Sequence, residues 1–222
     1  MTQKLYVMLG DVIASREIKD REKFREKLET ACLDINRNFA GDIYADFKIL
    51  KGIDEIEGVL TNIASVYKIM DTMLEELYPH SMRFVIVFDQ IDTALESRDV
   101  SRMDGPAFHK ASDALKDLKG SRLVFRLSTG DEILDKAVAG EINLIFFLKN
   151  GWSSRQRRII REYKNTGKQD MAAKSLNITQ QAVSKAIKRS IWREISGIED
   201  DLNYVLQDHP KNLLVERKKD KE

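Results

Sequence analysis

Short apolar runs alternate with stretches of helical periodicity across residues 1–150 of the chain. The runs predict four strands, at residues 4–9, 43–50, 82–88 and 121–127. Between them, apolar residues recur every three or four positions, which predicts helices at 20–39, 53–77, 107–118 and 131–147. Strands separated by helices build a layered fold rather than a separate sheet and bundle. We therefore expect an α+β, ferredoxin-like sandwich with helices on one face of a four-stranded sheet, followed by an all-α domain.

The composition limits the class of protein. With 222 residues, 42% hydrophobic and 33% charged, the chain is long enough for a large core and too apolar to be disordered. Cys32 is the single cysteine, which excludes an internal disulfide and a Cys-x-x-Cys metal site and fits a reducing compartment. The sequence has no apolar run long enough for a membrane span and no basic-then-apolar leader. We expect a cytoplasmic protein with no membrane partner.

Charge is distributed unevenly along the chain, although the net charge is only +1. Residues 1–150 have a net charge of −5, residues 151–191 of +8 and residues 192–222 of −2. A short basic module between two acidic parts favours a polyanionic partner for that module alone. We accordingly expect a sensor or oligomerisation domain (1–150), a DNA-binding domain (151–191) and a C-terminal helix with a charged tail (192–222).

The basic module has the pattern of a helix-turn-helix. An arginine-rich helix is predicted at 153–163, a short helix at 171–176 and a second helix at 179–189. Ala173 is small enough for the two helices to approach, and Asn177 suits a left-handed turn between them. The expected buried wedge consists of Leu176, Ile178, Val183 and Ile187.

The exposed face of the second helix carries side chains that can read DNA. Thr179 is a suitable N-cap, and contacts to base edges are expected from Gln180, Gln181, Ser184 and Lys185. Contacts to phosphates are expected from Arg155, Arg158, Lys168, Lys174, Lys188 and Arg189. The alternatives are a packing unit with a solvated basic face, or a module that binds RNA or protein.

An apolar stripe of Ile195, Ile198, Leu202 and Val205 follows the module. The stripe either packs within one chain or forms a homodimer. Because a single module reads few base pairs and binds weakly, we expect a dimer on duplex DNA.

The chain resembles the SatD family, a group of small bacterial and archaeal proteins, in three stretches. These are YVMLGDVIASREIKDREKF at the start, MDGPAFHKASDAL in the middle and the module at 171–189. Together they cover most of the chain in family order. The resemblance implies a C-terminal helix-turn-helix and does not imply a particular reaction.

The first domain is also similar, in the order of its motifs, to class III nucleotidyl cyclases and GGDEF domains. This resemblance places metal-binding aspartates at Asp11 and Asp54, although Ile53 interrupts the Gly-Asp step of those families. It implies Mg²⁺ with a nucleotide as ligand, and Arg16 or Lys51 could supply a cation near the phosphates.

Two further candidate ligand residues lie in the GPAFH motif. Gly105 precedes a helix N-terminus that can hold a phosphate, and His109 occupies the place of the apolar-Asn pair of the cyclases. Each candidate also has a purely structural interpretation. Asp11 can cap a turn, Asp54 can open an acidic first helical turn, and Gly105 can simply start a helix.

Taken together, these observations favour a DNA-binding transcriptional regulator whose first domain senses a small nucleotide or phosphate ligand. The alternatives are a Mg²⁺-dependent, nucleotidyl cyclase-like enzyme with an accessory DNA-binding module, and a protein-interaction adaptor. We assign no catalytic residue, because the three histidines and Cys32 form no recognisable nucleophile or zinc motif.

Overall fold

A computed structural model describes residues 2–219 of the chain. The chain forms two compact units. One contains the segment up to Ile142 and the segment from Asn203 onward, and the other contains Asn143–Leu202. Among the described residues, no helix is both long and apolar enough to cross a membrane.

The first unit contains the sheet. Its described strands are β1 (Gln3–Val12), β2 (Ile43–Lys51), β3 (Glu55–Leu60), β4 (Met82–Ile91) and β5 (Phe125–Ser128). The strand order is β2-β3-β1-β4-β5, and neighbours are antiparallel except β4 and β5. Helices α1 (Arg21–Asn38) and α2 (Val66–Leu77) complete a β-α-β-β-α-β unit. This is the ferredoxin-like arrangement that we predicted, with β5 added at one edge.

The predicted helix at 53–77 is wrong in its first half. Residues Glu55–Leu60 form β3, which pairs with both β1 and β2, and α2 begins later. Gly52, with a φ of 57°, turns the chain between β2 and β3. Gly58 lies so close to Phe47 that an added Cβ would be 2.5 Å from its ring. The apolar spacing from Ile56 onward suits a helix, and only pairing with β1 and β2 makes this segment a strand.

Helices cover both faces of the sheet, whereas we predicted one. On one face α3 (Pro106–Lys119) packs its buried side, including Ala111 and Leu115, against Val7 and Val85. On the other face α1 packs against α2, and Asn36 of α1 exchanges two hydrogen bonds with the backbone of β2. Successive residues of β1 point to opposite faces and are buried on both, so each face requires a covering layer.

Strand β1 is longer than predicted, so Gly10 and Asp11 lie inside it rather than after it. Asp11 is paired with Glu55 of β3 on one side and with Arg83 of β4 on the other. The remaining predicted strands differ from the observed ones by up to four residues at their ends. Pairing on both sides of β1 continues the strand past a glycine that sequence alone indicates as a stop.

The second unit is helical. It contains α5 (Ser154–Thr166), α6 (Gln169–Leu176) and α7 (Gln180–Arg189), with the end of α4 (Glu132–Asn150) and the start of α8 (Trp192–Lys219). Helix α5 packs against α6 and α7, and α6 packs against α7. These helices occupy the positions predicted for the basic module.

Candidate nucleic-acid interface

Helix α5 is fixed at both ends by its own sequence. Ser153 and Gln156 form a capping box, in which Gln156 N donates to Ser153 Oγ at 3.2 Å and Ser153 N donates to Gln156 Oε1 at 3.0 Å. Gly167 ends the helix in the left-handed conformation, with a φ of 67°. Because Ile159 and Ile160 are buried, one side of α5 faces the interior of its unit.

A tight turn joins α6 to α7. Asn177 adopts the left-handed conformation (φ 52°, ψ 48°) that its residue type predicted. The backbone N–H of Ile178 donates to the carbonyl of Ala173 at 2.9 Å, which closes the end of α6. Thr179 caps α7, because its Oγ1 accepts a hydrogen bond from Ala182 N at 3.2 Å. Both the turn and the cap lie where the residue types place them.

Helix α7 has a buried side and an exposed side. Val183, Ala186 and Ile187 are buried, whereas Leu176 and Ile178 of the predicted wedge are only half-buried. The cap residue and all side chains predicted to contact bases are exposed, namely Thr179, Gln180, Gln181, Ser184 and Lys185. The apolar side therefore anchors the helix and leaves its polar side open to a partner.

The predicted phosphate contacts are also exposed: Arg155, Arg158, Lys168, Lys174, Lys188 and Arg189. Among the described residues, the structure gives none of these six side chains a hydrogen bond or an ion pair. Arg157 differs from them, because its Nη2 donates to the carbonyl of Lys149 at 2.5 Å and to Asn150 Oδ1 at 3.4 Å. Arg157 is thus used inside the unit, while the six exposed cations are available to an anion.

Aromatic and ionic contacts that the sequence pattern does not predict also stabilise the second unit. Trp152 Nε1 donates to the carbonyl of Ser190 at 3.1 Å, and the Trp152 ring meets that of Trp192 edge-on with centroids 6.0 Å apart. Lys149 Nζ lies 2.5 Å from Glu199 Oε1, and the two side chains are only 6% and 10% exposed. The sequence has only two tryptophans, one on each side of the module, and this placement is the signal that could have indicated the contact between their rings.

Half of the predicted apolar stripe of α8 is buried within the chain. Ile195 and Leu202 are buried, but Ile198 and Val205 are exposed. A charged residue, Glu199, lies on the buried side instead. The ion pair with Lys149 makes this burial possible, because a buried charge needs a partner of opposite sign.

Both candidate aspartates of the first unit lie at one end of the sheet. Asp11 is buried, with Oδ1 2.7 Å from Lys119 Nζ and Oδ2 3.6 Å from Arg83 Nη1. Asp54 precedes β3; its carbonyl accepts a hydrogen bond from Val12 N at 2.8 Å. Among the described residues, the buried Oδ1 atom of Asp54 has no hydrogen-bond partner. Asp54 therefore lies next to the end of β1 through its backbone, and two cations already neutralise the Asp11 carboxylate.

The remaining candidate ligand residues are divided between the two ends of the sheet. Arg16 lies in the exposed turn after β1, and Lys51 ends β2, so both belong to the end that carries Asp11. Gly105 starts α3 at the opposite end, where an added Cβ would be 2.8 Å from Asp92 N. His109 follows it, with Nε2 3.3 Å from Asp104 Oδ1.

The distance between the two ends separates the predicted ligand residues. Asp11 pairs with Arg83, whereas Ile91, which lies next to Gly105, pairs with Gln3 at the other end of β1. Eight strand residues span about 26 Å. One small nucleotide cannot contact Asp11 and Gly105 together. Near Gly105, a hydrogen bond from the Lys110 ammonium lowers the pKa of Asp89, so this end is also an ion-pair cluster.

The geometry at Asp11 does not fit a resident Mg²⁺ ion. In the part of the chain that the structure describes, no three His, Cys, Asp or Glu side chains are grouped as metal ligands. Mg²⁺ requires oxygen ligands, and the oxygens of Asp11 face an ammonium and a guanidinium group instead.

The second unit therefore combines an exposed polar helix face with unengaged cations. The model of the SatD family matches residues 6–194, which span the sheet and the whole basic module. No curated protein matches the chain. One similar solved structure is the regulator of polyketide synthase expression from Bifidobacterium adolescentis, 12% identical with a TM-score of 0.31, over 92% of this chain and 82% of that chain. On the family match, which covers well over half of its length, this chain belongs to the SatD family.

Proposed function

We propose that this protein binds duplex DNA through a helix-turn-helix formed by α6 and α7, with α7 in the major groove. The observation that carries the proposal is the exposed side of α7. Gln180, Gln181, Ser184 and Lys185 lie there, opposite the buried Val183. Glutamine can form a bidentate contact with adenine, and lysine can reach guanine. A helix held rigidly by its apolar side is suited to present these groups to base edges.

The electrostatics of the same region support an anionic partner. Residues 151–191 carry a net charge of +8, and the side chains of the six exposed cations make no hydrogen bond or ion pair among the described residues. Lysine and arginine side chains that neutralise phosphates release condensed counterions, which drives binding to DNA. Phosphate contacts position the module and base contacts give it sequence preference. We extend the proposal to transcription regulation, because such a module directs a second folded unit to a chosen DNA site.

Selection from a random duplex pool tests the proposal. The wild type is compared with a variant in which Gln180, Gln181 and Lys185 are replaced by alanine. A control variant replaces Glu22, Lys23 and Glu26, three exposed residues of α1, by alanine. We expect the wild type and the control to enrich the same motif, and the α7 variant to enrich none. A wild type that ignores duplex DNA at low salt would refute the proposal.

Single substitutions separate base contacts from phosphate contacts. Gln181→Ala should relax the preference at one position of the motif, at a cost of about 1–3 kcal/mol for the preferred sequence. Arg158→Ala should weaken binding to every sequence alike. The affinity of each variant is measured on the selected motif and on scrambled duplexes. If both variants lose affinity for the two kinds of duplex in the same proportion, this division of roles is contradicted.

A further inference from the structure

The guanidinium group of Arg83 is a cation that the first unit largely buries without satisfying it. Arg83 lies near the start of β4, and its side chain is only 18% exposed. Among the described residues, its one polar contact is a loose ion pair, in which Nη1 is 3.6 Å from Asp11 Oδ2. That distance is too long for a hydrogen bond, and the buried Nε atom has no partner. A guanidinium group has five N–H donors, and the described residues leave those of Arg83 unused.

Asp11 does not by itself account for this buried cation. The Asp11 side chain is 9% exposed, and its Oδ1 atom is 2.7 Å from Lys119 Nζ. A charge-assisted contact of this length is a strong one, so the charge of the aspartate is already matched by the ammonium group of Lys119. The positive charge of Arg83 is therefore in excess at this place. A largely buried charge costs free energy unless a counter-charge and hydrogen-bond acceptors reach it.

Two further cations lie on the elements next to Arg83. Lys119 is the last residue of α3, and its side chain is 45% exposed in spite of its contact with Asp11. Arg122 is exposed in the segment between α3 and β5, and its side chain makes no hydrogen bond or ion pair among the described residues. This segment runs beside Arg83, because the carbonyl of Val124 accepts a hydrogen bond from Phe84 N at 2.7 Å. Helix α3, strand β4 and the segment before β5 thus each bring a cation to the same end of the sheet.

We propose that Arg83, Lys119 and Arg122 form a binding site for a small oxyanion, a molecule with a phosphate or a carboxylate group. The planar fork of a guanidinium group matches two oxygens of such a group, and the ammonium group of Lys119 adds a second charge. Asp11 is a positioning residue in this site, because it holds Lys119 and faces Arg83. The same contacts that do not fit Mg²⁺ therefore organise a site for a ligand of opposite charge.

A purely structural role for Arg83 makes a different prediction about stability. If the guanidinium group serves only to neutralise Asp11, its removal should destabilise the first unit. If it awaits a ligand, Arg83→Met removes an unsatisfied charge while Lys119 keeps Asp11 paired. We then expect the Tm of this variant, measured without added oxyanion, to equal or exceed that of the wild type. A Tm lower by about 3 °C or more would overturn the proposal.

Thermal unfolding of the full chain without DNA tests the ligand. In about 20 mM phosphate, at an ionic strength held constant with chloride, the Tm of the wild type should rise by about 2–4 °C. Arg83→Met should show only the small general effect of phosphate on protein surfaces, and Arg122→Ala a rise between the two. Arg158→Ala is the matched control, because it removes an exposed cation of the second unit and should keep the full rise. No rise in the wild type, or an equal rise in Arg83→Met, would overturn the proposal.

Malonate at the same concentration separates the two kinds of ligand. A larger rise with phosphate assigns the site to phosphate groups, a larger rise with malonate assigns it to carboxylates, and equal rises show that it accepts both. In each case Arg83→Met must lose the rise for the site to stand. All of these measurements omit DNA, so their outcome is independent of the proposed DNA binding.

Discussion

Binding of one module to a single duplex site should weaken steeply with salt. Six cations of the second unit form what we call the basic surface, because their side chains are exposed and make no hydrogen bond or ion pair among the described residues: Arg155, Arg158, Lys168, Lys174, Lys188 and Arg189. Each neutralised phosphate contributes about −0.9 to the slope of log K against log salt, so six contacts give a slope of about −5. A rise from about 50 to about 200 mM salt then reduces affinity about 10³-fold.

The slope can be measured by fluorescence anisotropy with a labelled duplex that carries one site. Arg158→Ala should weaken binding and make the slope less negative by about 0.9, because one phosphate contact is lost. Arg25→Ala is the control, since Arg25 is an exposed residue of α1 that pairs with Glu29 and lies far from the module in sequence. Its slope should equal that of the wild type.

Two results would refute this account of the basic surface. A wild-type slope near zero would show that phosphates do not carry the binding. An unchanged slope for Arg158→Ala, with affinity reduced, would show that the arginine acts through something other than a phosphate contact. Neither result can be produced by a change in base preference, because the duplex sequence is held constant.

Three further changes test the packing, each by urea unfolding. Glu199→Leu should lower the free energy of unfolding by about 3–5 kcal/mol, because it leaves the Lys149 ammonium buried without its carboxylate. Adding Lys149→Met should restore most of this stability, and a double variant as unstable as Glu199→Leu would contradict the reasoning. Gly58→Ala should lower the free energy of unfolding by about 1–3 kcal/mol, since the added Cβ would lie 2.5 Å from the buried ring of Phe47. An unchanged stability would contradict this prediction. Asn177→Val should lower the free energy of unfolding by about 1–2 kcal/mol, because the φ of 52° at this position strains a β-branched residue. Asn177→Gly should change it very little, and equal effects of the two substitutions would argue against strain in the turn.

The basic surface was largely predictable because its chemistry is local. Asn177 tolerates the left-handed turn and Thr179 supplies the cap through contacts within a few residues. The exposed face of α7 follows from helical periodicity once Val183 and Ile187 are recognised as apolar. The Lys149–Glu199 pair was missed, because its partners lie far apart in sequence and a buried glutamate has no local signature.

Residue type and spacing within one element are enough to predict the alternation of strands and helices, the turn before α7 and the separation of charge. Glu55–Leu60, in contrast, is a strand only because two neighbouring strands satisfy its backbone hydrogen bonds. Tertiary structure also placed Asp11 and Gly105 at opposite ends of the sheet. The order of motifs along a chain does not give the distances between them, because those distances depend on how strands that are far apart in sequence pair with one another.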